Sequence, residues 1–370
     1  MKFNTFSRRR FLATTGMAAA TSLTPGLIRP AFAAPLAPVK EEDAIISFAL
    51  TGPVSDEGWN ANHDDAVKAI EAAFPRLKTI VVENVPFSAD AARTFRQFVQ
   101  QGSQFVFSTS NYGDFLTSVV ERAPDVAFLQ ADGRNTADNL GWYYVKHWYP
   151  SYVLGVAAGM MSETGKLGYI GSFPVPIIYC SSNAFLMGAQ SVNPDATLQV
   201  ININSWFDPQ GASQAASALI DGGCDFLFGL MNEPAYLQVC EKRGVYGAMW
   251  NADMRRFGPK AYVSAVVPDW TGFYVDQVRQ RLEGTWTGGG ETLLDMGAGV
   301  DRDDWGEIVP AEVASAADEV RDKILGGWSP FTGEIRDQTG AVRIQEGETM
   351  SELALYNWDW SIKGVSGLAT

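Results

Sequence analysis

Four tryptophans, Trp59, Trp206, Trp250 and Trp270, lie in or beside stretches that follow short apolar runs. An indole offers a flat apolar face and one N–H donor, which suits stacking on a planar ring or a sugar. Core or interface packing is the other use for any one of them. Nearby stretches supply carboxylates and amides: Asp56, Asn60, Asn111, Asn183 and Asp253. Ionised carboxylates accept strongly, and amides both donate and accept. Such a set suits recognition of a small polar molecule.

Residue patterns that catalysis needs fall short. Gly159, Gly165 and Lys166 resemble a phosphate loop, but the spacing is one residue too long. Leu167 also stands where Ser or Thr would reach Mg²⁺, so Lys166 reads as a helix end. No G-x-G-x-x-G follows a strand pattern, and there is no G-x-S-x-G elbow. His63, beside Asp64 and Asp65, reads as a solvated helix residue. His147, among Trp142, Tyr143, Tyr144, Trp148 and Tyr149, reads as packed. Asp301, Asp303 and Asp304 start like a calcium loop and read as a solvated acidic loop. Cys180, Cys224 and Cys240 match no zinc or redox spacing. They read as buried thiols, with a Cys224–Cys240 bridge as the alternative. The expectation is no enzyme, no metal and no cofactor.

The elements that must position these residues alternate regularly. Strands read over 44–50, 77–82, 105–107 and 126–129, with helices over 60–73, 89–101 and 114–122 between them. The pattern restarts with a helix over 152–162, strands over 167–171, 198–202, 226–228, 245–249 and 261–267, and helices over 178–191, 211–221, 235–242 and 270–283. One further helix reads over 311–325, and the end, 344–370, looks irregular. Alternating strands and helices mean right-handed βαβ units and parallel sheets. The fold class is therefore α/β, with two doubly wound Rossmann-like lobes. Lobe 1 takes 43–148 plus about 267–300, and lobe 2 takes 149–266 plus part of 301–370. Hinges fall near 147–151 and 266–269. Ligands of such sheets bind at the carboxyl ends of the strands, so the strand-to-helix loops are the functional candidates.

Composition narrows the class further. The 370 residues carry a net charge of −14, with only two histidines, which argues against a nucleic-acid partner. The charge is uneven. Residues 1–33 hold Lys2, Arg8, Arg9, Arg10 and Arg29 and no acid, leaving 23 basic against 42 acidic residues, a net of −19. A basic region, a weak apolar run and Ala31-Phe32-Ala33 describe an export signal. Ser7-Arg8-Arg9-Arg10-Phe11-Leu12 resembles the twin-arginine pattern S-R-R-x-F-L. The mature protein is expected to be soluble, periplasmic and cut near Ala33, with no cysteine there for a lipid anchor.

The first loop reads Thr51-Gly52-Pro53-Val54-Ser55-Asp56-Glu57-Gly58-Trp59-Asn60-Ala61-Asn62-His63-Asp64. Glu83-Asn84-Val85, Tyr152-Val153-Leu154-Gly155-Val156-Ala157-Ala158-Gly159, Asn183-Ala184-Phe185, Gly188-Ala189, Asn193-Pro194-Asp195, Ser205-Trp206-Phe207-Asp208-Pro209 and Asp253-Met254 follow in order. Over residues 44–286 this resembles the basic membrane protein family of periplasmic substrate-binding proteins, the purine nucleoside receptor type of ABC importers. The resemblance implies a two-lobe, hinge-closing type I periplasmic binding protein, a purine-type ligand, a membrane ABC permease as partner, and a monomer. It puts Trp59 where the family stacks its purine and Asp253 where an acid meets the base edge. Asn60, Asn183 and Trp206 would complete the cleft, joined by Asn111 and Trp270 from neighbouring loops. Asp56 would meet a ribose hydroxyl or cap the following helix. The family's lysine is missing from Val266-Val267-Pro268-Asp269-Trp270, Ser108-Thr109-Ser110-Asn111-Tyr112 departs from the expected loop, and Glu233 is unusual in its loop. The expected ligand is a purine nucleobase or nucleoside; these departures count against ribose recognition, and the extra Trp suggests a smaller, flatter ligand such as a free nucleobase. A sugar receptor on the same scaffold and a periplasmic nucleoside hydrolase are the rival readings.

Overall fold

The computed structural model describes residues 34–368; the export signal read over 1–33 lies outside them. The first half of the chain forms β1 (Ile45–Ala49), α1 (Trp59–Ala73), β2 (Lys78–Val82), α2 (Ala89–Gln100), β3 (Phe105–Ser108), α3 (Asp114–Val120), β4 (Ala127–Ala131) and β5 (Leu140–Val145). There follow α4 (Trp148–Met161), β6 (Lys166–Gly171), α5 (Pro176–Gln190), β7 (Thr197–Asn202), α6 (Pro209–Asp221), β8 (Phe226–Gly229), α7 (Ala235–Arg243), β9 (Tyr246–Trp250) and β10 (Tyr262–Pro268). Then come α8 (Thr271–Glu283), β11 (Glu291–Leu294), β12 (Val300–Arg302), α9 (Ala311–Leu325), the hairpin β13 (Ile335–Arg336) and β14 (Val342–Ile344), α10 (Glu352–Tyr356) and β15 (Val365–Ser366).

Two sheets organise these elements. The first has the order β11-β5-β4-β3-β1-β2, and the second β12-β10-β9-β8-β6-β7-β15. Pairing is parallel throughout the first. In the second only the β10–β12 edge is antiparallel. Strands β3, β4 and β5 are buried along their whole length, as helices on both faces of a parallel sheet require. β2-β1-β3-β4-β5 and β7-β6-β8-β9-β10 repeat one doubly wound order, each reversing beside its first strand. The chain crosses between the sheets three times: before α4, before α8, and between β11 and β12.

Local chemistry fixes the helix starts. Ser88 accepts from the Asp90 amide ahead of α2, whose Ala91, Ala92, Phe95 and Phe98 turn inward. Asp208 caps α6 through the Gly211 amide, with Pro209 opening the helix. α4 and α5 are apolar almost all round and almost wholly buried. They meet at glycines: a Cβ on Gly155 would stand 2.0 Å from the Phe185 carbonyl oxygen, and one on Gly188 2.0 Å from that of Tyr152.

The structure differs from the reading in several places. The aromatic run of β5 is a central strand, because its side chains are buried on both faces. Lys166 opens β6 and does not end a helix. Residues 344–368 are not irregular throughout: β15 adds to β7, and Asn183 in α5 grips Trp360 and Ile362 through its amide. Asp301 pairs with Arg321, and Asp303 accepts from Tyr262 and Arg255, so these acids form a network instead of a solvated loop. All three cysteines are buried and unbridged.

Candidate ligand-binding site

A cavity of about 340 Å³ opens where loops at the carboxyl ends of both sheets meet. It sits at both strand-order reversals. The loop after β1 and Ser110 after β3 line one side, with Leu230 and Asn232 after β8 on the other. Six aromatic residues line it: Trp59, Phe87, Tyr144, Trp206, Phe207 and Trp250. Polar side chains stand among them, as in pockets that orient a flat molecule.

Trp59 opens α1, and its indole is fixed from behind. Nε1 donates to the Thr109 carbonyl at 2.9 Å. His63 meets the ring edge-on at 4.6 Å and Trp270 at 5.6 Å. His63 in turn stacks on Trp270 and holds the Tyr274 hydroxyl through Nδ1 at 2.7 Å. His63 is therefore fully buried, not solvated; burial lowers its pKa to about 3, so it is neutral. The cause is the aromatic face of α8, which packs over α1 and has no counterpart in the local sequence.

Asp56 and Asn60 line the cavity but serve the loop. Asp56 accepts from the amides of Gly58, Asn60 and Ala61 and from the Asn60 side chain, a full set for the N-terminus of α1. Asn60 uses its carbonyl on Thr51 and Gly52. Trp206 lines the opposite side, where its carbonyl accepts the Asn232 amide.

Four other residues read as site candidates stand outside the cavity wall. Asp253 is held by Arg255, which grips both its carboxylate oxygens. Asn183 is buried and committed to the C-terminal segment. Asn111 accepts from the Gly113 amide ahead of α3. Trp270 is fully buried behind Trp59.

A second carboxylate in the cavity wall is Asp132, in the turn after β4. Its backbone is left-handed (φ 50°). Oδ1 accepts from the Tyr356 hydroxyl at 2.9 Å, and Oδ2 accepts no hydrogen bond from the described residues. Burial raises its pKa to about 6, opposed by Tyr356 and by Arg134. Asn232, whose carbonyl accepts from Asn251, stands across the cavity. Asp132 and Asn232 were legible only as members of strand-end loops. Tyr144 was not legible, because β5 was not read as a strand.

Contacts between the two halves close the mouth. The Asn62 side chain donates to the Asn251 carbonyl at 2.6 Å, and Arg256 pairs with Glu57. Asn251 is itself left-handed (φ 74°), which turns its carbonyl toward α1.

Two doubly wound halves closed over an aromatic, ligand-sized cavity define a solute receptor of the type I periplasmic binding class. The family of PnrA-like ABC transporter substrate-binding proteins (Bmp) matches residues 44–319, and the chain belongs to that family. It is 37% identical to a purine-binding protein of Brucella abortus, over 88% of this chain and 93% of that one. It is 34% identical to a Haloferax volcanii protein named for glucose binding in an ABC transporter, over 85% of this chain and 83% of that one. A solved ABC solute-binding protein from Aeropyrum pernix shares the fold at a TM-score of 0.64 and 16% identity, covering 77% of this chain and 92% of that one. The protein is thus a solute-binding receptor of an ABC importer, a class that works outside the cytoplasm.

Proposed function

We propose that the solute is a purine, stacked on Trp59 and hydrogen-bonded through a ring N–H or amino group to Asp132. The observation that carries this is Trp59 itself. Its indole is locked by Thr109, His63 and Trp270 and lines a cavity that also holds a carboxylate oxygen without a protein donor. Stacking on one face plus an acceptor at the edge is how a flat heterocycle is told from a round apolar one. The Brucella relative's purine-binding name supports the same class. Asp56 already accepts four hydrogen bonds, so the reading favours the free base over ribose recognition.

The rest of the proposal follows the export and transport logic of the class. The precursor leaves the cytoplasm folded by the twin-arginine route, loses its signal near Ala33 and works as a monomer. It closes on its ligand by hinge motion between lobe 1 (43–148 and about 267–300) and lobe 2 (149–266 and part of 301–370), and presents the closed form to a permease. The ligand is released chemically unchanged.

Tryptophan fluorescence titration with adenine, guanine, hypoxanthine, xanthine, their nucleosides and glucose tests the ligand class. The expected result is saturable quenching by one or more bases, lost in Trp59→Ala by about tenfold to a hundredfold in affinity. Response to glucose alone favours the second reading, a hexose receptor, which the Haloferax relative's name supports.

A further inference from the structure

We infer that Tyr356, carried by a C-terminal segment beyond the matched family region, is a positioning and specificity-determining residue of the ligand site. The inference rests on the purine reading for the ligand, but the positioning itself does not. Family matching ends at residue 319, whereas Tyr356 ends α10. Ser351 caps α10 through the Ala354 amide, and Tyr149 donates to Glu352 at its start. Farther along, Asn183 and β15 fasten the segment to the second sheet. At Tyr356 the same segment reaches the first sheet.

The contacts there are specific. The Tyr356 ring lies flat on Trp142 of β5, 4.9 Å away and 9° from parallel. Its single hydroxyl proton is shared between two acceptors, Asp132 Oδ1 and the Gly133 carbonyl, both at 2.9 Å. Burial and the adjacent carboxylate push the phenol far above its usual range, so it remains a donor. Arg134 lies over the same ring and bonds Asn357. One oxygen of Asp132 is therefore committed, and the other is left as the acceptor for a ligand. Rotating the carboxylate would break the bond to Tyr356, so the acceptor's direction is fixed by the tail. Specificity follows: the ligand must place an N–H or O–H at that one position, and an analogue with a lone pair there leaves Oδ2 unpaired.

The groups facing Asp132 are Arg134 on its own turn, Tyr144 on β5 and Tyr356 on α10, with Glu291 of β11 acting on Tyr356. The Tyr356 hydroxyl favours the ionised carboxylate. Its removal must raise the Asp132 pKa above about 6.

The test compares full-length wild type, Tyr356→Phe and Asp132→Asn. Phe keeps the ring on Trp142, and a melting temperature at pH 8 close to wild type verifies the fold. Carboxyl carbon NMR of labelled aspartate, with Asp132→Asn identifying the signal, reads the Asp132 midpoint without ligand. The expected result is a midpoint about one pH unit higher in Tyr356→Phe. Between pH 8 and pH 6, affinity for the tightest purine that does not itself titrate there should fall about twofold in wild type and about tenfold in Tyr356→Phe. Tyr356→Phe should also discriminate less sharply among the bases. An unchanged midpoint, or unchanged affinity and selectivity in a variant that binds purine, overturns the inference while leaving the purine reading intact. A wild type that binds no purine sinks that reading instead, and the NMR midpoint alone then decides the positioning role.

Discussion

Two histidines and one aspartate set how single residues respond to pH. His147, edge-on to Trp250 and fully buried, has its pKa lowered to about 3, as has His63. In the unfolded chain a histidine titrates near 6.5. Between those values the unfolded chain binds a proton that the folded chain refuses. Stability is therefore lost as pH falls below about 6.5, by up to about 1.4 kcal/mol per pH unit for each histidine. Asp132, raised to about 6, acts in the opposite sense: its folded form holds a proton that the unfolded carboxyl releases, so its contribution is lost as pH rises through about 6. Urea unfolding at pH 7, 5 and 4 should show a shallower acid decline in His147→Gln than in wild type, and equal slopes would refute the assignment. Asp132→Asn should weaken purine binding about tenfold at pH 8 and remove most of its pH dependence, read by the same fluorescence titration.

At the scale of elements, the site depends on how α1 begins and how α4 meets α5. Asp56 satisfies three orphan amides at the start of α1, the helix that carries Trp59 and His63. Asp56→Ala should cost about 1–2 kcal/mol, seen as a lower urea midpoint, and loosen Trp59 as well. Gly155→Ala would press a methyl into the Phe185 carbonyl, a backbone atom that cannot step aside. About 3 kcal/mol or more of stability, or failure to fold, is expected. A fully stable Gly155→Ala protein would mean the two helices pack less closely than described.

For the whole molecule, the proposed hinge closure would depend on contacts across the cleft. Glu57–Arg256 and Asn62–Asn251 join opposite sides of the cleft. The ion pair is largely exposed, so it is worth at most about 1 kcal/mol and is screened by salt. Arg256→Ala should therefore weaken ligand binding no more than about fivefold at low salt, with the loss in a faster off-rate and little change at high salt. Stopped-flow dissociation at two ionic strengths reads this directly.

Much of this architecture was legible in the sequence because each strand and helix carries its own periodicity, and because doubly wound sheets place ligands at strand ends. Trp59 and Trp206 lie in those loops and line the cavity. The polar partners were not: Asp253 and Asp132 both stand in loops after strands, and nothing local tells which one an arginine will occupy. Arg255 is two residues from Asp253 and takes it, whereas Asp132 is met by Tyr356, 224 residues away. His63 likewise looked solvated beside two aspartates until α8 covered it. Sequence alone determined most of the elements before residue 284, their alternation and the loops at stake, because those depend on near neighbours. Tertiary structure decided which carboxylate faces the cavity, that His63 is buried and where the tail is tied, because these depend on side chains far apart in the chain competing for the same few hydrogen bonds.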